Sequence, residues 1–292
     1  SSSSSSSDCT YDYVPLDTLI RWEGTSVGLF LFASILYLSL SLMDINYVPS
    51  DETDDNGSDD YDYDHDDDGY FVLPLTQGVY VSNYQCIYAS AGFSFLLSGV
   101  VDFLWCRKKA RLLSSKKALS AEIGKSPVDG FNAYPRGKLI FSIDEWVAIT
   151  LGTGGCFDFI AACLYELTNE RPTIIMNLIA AHMYMIEALI AIGGRHITGD
   201  TVHLMSLDGI GDVLFFLGSV IDLVSGYIDL NSSESKDRVL QYFGLSSSIF
   251  WLVTSFLFIG SMIARVRLER SRAVKDDDTI CSTNISLKSM AV

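Results

Sequence analysis

Four carboxylates lie where a carboxylate is expensive. Asp102, Asp158, Glu187 and Asp222 each interrupt an apolar stretch long enough to cross a membrane. An ionisable side chain near the middle of such a helix costs about 2.5–3.5 kcal/mol on insertion scales, so it faces a bundle interior or a water-filled cavity. The neighbouring residues fit that. Gly154, Asp158 and Ala162 recur at i, i+4 and i+8, as do Ser94, Ser98 and Asp102; Gly211, Gly218, Asp222 and Ser225 share a further face. No Lys or Arg sits at those depths. Two kinds of chemistry follow. Asp158, Asp222 and Glu187 can bind or relay a cation or protons along a polar pathway, or the acids can hydrogen-bond across helices and fix their pairing. Asp102 is four residues from Cys106, about 6 Å along a helix axis, and is placed to reach the surface. His182 is five residues from Glu187, on a different face, and reads as a satisfied interior histidine.

The elements that must position these acids are long and greasy. The chain has 292 residues, is 49% hydrophobic and has a mean hydropathy of +0.27. Six apolar segments stand out, at 25–43, 86–105, 145–166, 172–193, 208–230 and 240–264. About 20 apolar residues are needed to cross a hydrocarbon core of about 30 Å. In lipid only helices and closed barrels satisfy every backbone group. Barrel strands alternate in hydropathy over about ten residues, and these segments do not. The expected fold is all-α: a polytopic bundle of six transmembrane helices, arranged as three hairpins.

The net charge of −16 misleads if taken whole, because the acids and bases are segregated. Asp51 to Asp68 holds eleven acidic residues, and 44–85 contains no Lys or Arg. Nine Lys and Arg lie between Arg107 and Lys138, and six follow the last apolar segment. With both termini inside, 17 of the 20 basic residues are on the inner side, a strong positive-inside signal. The organisation is then an inner tail (1–24), a first hairpin (25–105) with an acidic outer loop (44–78), a basic inner loop (106–144), a second hairpin (145–193), an inner link (194–207), a third hairpin (208–264), and an inner tail that is basic and then polar (265–292). The seven opening serines read as a polar, disordered tail. The glycosylation tripeptides at Asn56 and Asn231 both fall on the outer side, in agreement with this scheme. The expected location is the plasma membrane or an endomembrane, with cytoplasmic termini.

An internal repeat supports the hairpins. The first, third and fifth segments carry Phe32-Ala-Ser-Ile-Leu-Tyr37, Thr153-Gly-Gly-Cys-Phe-Asp158 and Leu217-Gly-Ser-Val-Ile-Asp222. Each runs through small residues and two larger ones to a polar-capable side chain. Phe215-Phe-Leu-Gly-Ser219 with Phe250-Trp-Leu-Val-Thr-Ser255 resembles the YrhK domain, a two-helix membrane module. The likeness covers 208–264 and extends poorly to Phe30–Trp105; the third and fourth segments depart from it. It implies an integral membrane hairpin and brings no catalytic residue.

Outside the membrane, Asp64, Asp66 and Asp68 with Gly69 have the D-x-D-x-D-G spacing that opens a calcium loop. Position 12 is Leu75 and no helices are expected to flank it, so the competing reading is a solvated acidic loop. Ca²⁺ is the one cofactor these residues raise. Cys106, at the membrane boundary beside RKKARLLSSKK, is a candidate for palmitoylation. The inner basic segments suit anionic lipid, and the bilayer itself is the first partner; a second copy or another membrane protein is compatible, and nothing calls for nucleic acid. No phosphate loop and no nucleophile–base set is present, so an enzyme is not expected. The functional expectation is a structural or interaction membrane protein. Its alternative is a small cation- or proton-coupled transporter or channel working through the intramembrane carboxylates.

Overall fold

The computed structural model describes residues 16–46, 70–72, 80–122, 141–165, 170–197, 206–231 and 237–290. Six helices carry the fold: α1 (Leu16–Asn46), α2 (Asn83–Glu122), α3 (Ile143–Leu164), α4 (Glu170–Ile197), α5 (Leu207–Asn231) and α6 (Asp237–Met290). Each contains a stretch long and apolar enough to span a bilayer. The chain is thus a multi-pass membrane protein whose spanning elements are all helices. A small ribbon lies between α1 and α2, where β1 (Tyr70–Val72) pairs antiparallel with β2 (Tyr80–Ser82), Phe71 opposite Val81.

The helices overrun the apolar segments. α2 continues through the Arg107–Lys117 run to Glu122, and α6 continues to Met290. Hydropathy ends where the hydrocarbon would, but Ala, Leu, Lys, Arg and Glu are good helix formers and the backbone ladder runs on. α3 begins sharply instead. Glu145 N donates to Ser142 Oγ at 3.2 Å and Ser142 N donates to Glu145 Oε2 at 2.8 Å, a reciprocal cap. Arg107 Nε donates to Glu145 Oε1 at 2.9 Å and ties that start to α2.

Each helix packs on its neighbours in sequence, and α6 closes back onto α1, so the six form a ring. Its inside and outside are reversed relative to a protein in water. Phe32, Ile35, Leu42, Phe93, Leu104, Leu189, Leu217 and Phe256 face out, while Ser34, Ser98, Asp158, Glu187, Ser219, Thr254 and Ser255 are buried. With lipid outside, exposing Leu costs nothing, and small and polar residues in the interior hold helices together.

Two seams show how. Between α2 and α3 the backbones touch: a Cβ on Gly99 would lie 2.4 Å from Gly152 N, and one on Gly155 would lie 2.3 Å from Leu96 N. Between α1 and α6 the ring closes through paired hydroxyls. Ser255 Oγ donates to Ser34 Oγ at 2.9 Å, and Ser41 Oγ and Ser248 Oγ share a hydrogen bond at 2.8 Å. Both pairs are seven residues apart on each helix, two turns of antiparallel packing. A double-mutant cycle of Ser34→Ala and Ser255→Ala, read by unfolding in detergent, is expected to give a coupling of about 0.6 kcal/mol, the usual size of a hydrogen bond between membrane helices.

The middle of the ring is filled by rings. Phe30, Phe95, Tyr184, Phe215 and Trp251 form one buried cluster. Phe30 meets Phe95 at 5.0 Å, Phe95 meets Tyr184 at 5.5 Å, and Trp251 meets Tyr184 at 5.5 Å, mostly tilted or edge to face. At the end where α1, α3 and α5 begin, Trp22 stacks on Trp105 at 6.4 Å with Lys108 Nζ 5.2 Å from the Trp22 ring centre. Aromatic and cationic side chains at one level are what a membrane interface selects.

Candidate functional site: an acidic cavity inside the ring

Beyond the aromatic plug, at the end where α1, α3 and α5 finish, the ring opens into a cavity of about 250 Å³. All six helices line it, each with one face. α1 contributes Tyr37, Ser41 and Asp44; α2, Tyr84 and Tyr88; α3 with the cap residue that follows it, Asp158 and Tyr165; α4, Asn177, Ala181 and Tyr184; α5, Asp222, Ser225 and Asp229; α6, Gly244, Ser247, Ser248 and Trp251. The spacings of three, four and seven residues are those of a helix face. Four carboxylates and five tyrosine hydroxyls therefore converge, and no Lys, Arg or His is among the described residues that line the space.

The sequence-derived acids divide into two groups. Asp158 and Asp222 meet in the cavity; Glu187 and Asp102 do not line it. Glu187 is buried, 8% exposed, three residues past Tyr184 toward the opposite end. Asp102 lies by Ser26, Glu23 and Arg265. There Arg265 Nη2 lies 3.5 Å from Glu23 Oε2 and 3.8 Å from Asp208 Oδ1, and the hydroxyls of Ser26 and Ser98 are 3.0 Å apart. A second polar cluster thus sits on the far side of the plug. His182 is occupied as expected: Nδ1 donates to Leu178 O at 2.7 Å, and Nε2 is 3.3 Å from the Tyr227 hydroxyl.

The two cavity acids are built alike and finished differently. Asp158 follows Gly154 by one turn, and Asp222 follows Gly218 by one turn. Each glycine seats an aromatic ring of the next helix. A Cβ on Gly154 would lie 2.4 Å from Tyr184 Cε1, and one on Gly218 would lie 2.7 Å from Trp251 Nε1. At the first position the seated ring satisfies the acid: Tyr184 and Tyr37 each donate their hydroxyl to Asp158 Oδ2 at 2.6 Å. At the second it does not. Asp222 Oδ2 and Trp251 Nε1 are both shielded from solvent with no hydrogen-bond partner, and the nearby Ser247 hydroxyl donates to Gly244 O at 3.0 Å. Tyr37, which ends the matching phrase of α1, lines the same cavity, so the three phrase-final side chains converge.

Several cavity groups lie outside the four intramembrane acids. Asp44 and Asp229 sit at helix ends, where a carboxylate attracts no notice; Tyr84 donates to Asp44 Oδ2 at 3.2 Å. Tyr88 donates to Asn177 Oδ1. The signal that finds them is helical spacing, Tyr37-Ser41-Asp44 and Asp222-Ser225-Asp229.

The remaining candidates fall elsewhere. Asn56, Asp64, Asp66 and Asp68 lie outside the described residues. Asn231 is the last residue of α5, exposed, with Nδ2 donating to Tyr227 O at 2.8 Å. Cys106 is a free, half-buried thiol within α2, which continues well past it. Among the described residues no group of three or more His, Cys, Asp or Glu is arranged to hold a metal. No family model, curated protein or solved structure matches the chain.

Proposed function

We propose that the chain is a small carrier for a cation, with the acidic cavity as its binding site. One observation carries this reading: Asp158 and Asp222 converge from different helices in a cavity whose described lining holds no positive charge. A concave site with a few convergent polar groups is the default location for a ligand, and an intramembrane acid is by default functional. Polar groups on both sides of the aromatic plug favour a carrier over a receptor, since a solute crossing the bundle meets both. The filled plug argues against an open channel. In this reading the basic end faces the cytoplasm, following the positive-inside rule, and the cavity opens to the outside of a plasma membrane or the lumen of an endomembrane.

The second reading, a structural or interaction protein, is favoured by Asp158 itself. Its bonds to α1 and α4 are those of a packing residue that ties three helices. Proteoliposomes decide between the two. Under an inside-negative potential, uptake of rubidium or methylammonium is expected to exceed that of protein-free vesicles at least tenfold. Asp222→Asn is expected to abolish it while eluting and unfolding like the parent chain. Absence of uptake in the parent, with Asp222→Asn simply less stable, would leave the structural role.

A further inference from the structure

We infer that the cavity is a site for a small organic ammonium ion, held by the carboxylate of Asp222 within an aromatic wall. This rests on the cation-binding reading and names the chemical class of the cation. The argument begins with the two glycine-seated aromatics. In one, the donor of the ring (Tyr184) and the acid (Asp158) satisfy each other. In the other, the N–H of the ring (Trp251) does not reach the acid, and an acceptor atom of Asp222 is left buried and unpartnered. A buried acceptor without a donor carries the full desolvation penalty of that group. An N–H donor arriving from outside removes the penalty, and a cationic one does so most strongly.

The surroundings choose the kind of cation. Gly218, one turn below Asp222 and about 6 Å away along the axis, meets the Cδ1–Nε1 edge of the indole. An ammonium group on that carboxylate shares the cavity with Trp251, and aromatic walls attract cations. Tyr37 and Tyr184 supply further aromatic wall. A chelated metal fits poorly, because among the described residues no three acids, cysteines or histidines are arranged around one point. The volume of about 250 Å³ far exceeds one dehydrated ion. It falls just short of the about 300–1,000 Å³ of drug-sized ligand sites, so the ligand is a small molecule.

The full chain in nanodiscs tests this with three probes at matched ionic strength: benzylammonium chloride, benzyl alcohol as its uncharged counterpart, and potassium chloride. Tryptophan fluorescence is expected to respond saturably to benzylammonium at concentrations at least tenfold below any response to the other two. Asp222→Asn is expected to weaken that response at least tenfold. Gly244→Leu is expected to weaken it too, with every carboxylate retained. A Cβ there has room, its nearest neighbour being Ser41 Oγ at 3.8 Å, so the added side chain starts from open space in the cavity wall. An equal response to benzyl alcohol would reduce the site to an apolar hole. An equal response to potassium, or an unchanged response in both variants, would also refute the assignment. Binding of benzylammonium without uptake of any cation would overturn the carrier reading and uphold this one. Asp222-dependent rubidium uptake with no benzylammonium binding would do the reverse.

Discussion

Gly155→Ala is expected to destabilise the folded bundle by about 3 kcal/mol, the upper end of the range for forcing an extra carbon into a packed interior. The new Cβ would stand 2.3 Å from Leu96 N and 2.8 Å from Gly92 O. Both are backbone atoms of α2, so no side chain can swing aside. Relief requires moving α2 and α3 apart, and that opens the Gly99–Gly152 contact on the same seam, where backbone atoms also meet. Close backbone approach is how membrane helices replace the hydrophobic effect they lack between them. Gly28→Ala is the control. Nothing lies within 4 Å of a Cβ there, so the gain in helix propensity, up to about 1 kcal/mol, is unopposed. Both are read by heat- or detergent-induced unfolding of the solubilised chain, followed by helical circular dichroism. Equal stability of the two variants would mean that α2 and α3 are not in backbone contact.

Asp158→Leu and Asp222→Leu are expected to part company. Asp158 Oδ2 accepts from both Tyr37 and Tyr184. Leucine there leaves two buried phenols without an acceptor, at about 1–3 kcal/mol each, so a loss of about 2–6 kcal/mol follows. The cause can be checked by restoring balance. Adding Tyr37→Phe and Tyr184→Phe to Asp158→Leu removes the stranded hydroxyls, and stability is expected to return most of the way, because exchanging both partners of a buried hydrogen bond for apolar groups is close to neutral. Asp222→Leu strands no donor: the nearby Ser247 hydroxyl is given to Gly244 O, and Asp222 Oδ2 has no partner to lose. About 1 kcal/mol or less is expected there. Unfolding curves of the four chains measure all of this. Should Asp222→Leu prove as costly as Asp158→Leu, Asp222 is a packing residue and the cavity loses its binding group.

That the chain crosses a membrane six times was legible in residue order, because lipid imposes a length and a composition on every span separately. So was the inward direction of the acids. Leu217-Gly-Ser-Val-Ile-Asp222 already sets a carboxylate one turn from a glycine, and a helix puts both on one face. The phrase shared by the first, third and fifth helices pointed to Tyr37, Asp158 and Asp222 as counterparts, and all three line the cavity. The division of the acids was not legible. Nothing in the spacing separates Asp158, held by two hydroxyls from α1 and α4, from Asp222, whose partner helix brings an indole that does not bond it.

Local order along one helix determines which residues share a face, and with it the spans and the inward acids. Which foreign side chain arrives opposite each acid depends on the ring closure of α6 onto α1 and on the rotation of every helix about its axis. Those are collective outcomes of backbone contact at glycines and of hydroxyl pairs such as Ser34 with Ser255. Only the assembled bundle decided that Asp158 would be satisfied and that one buried oxygen of Asp222 would be left open.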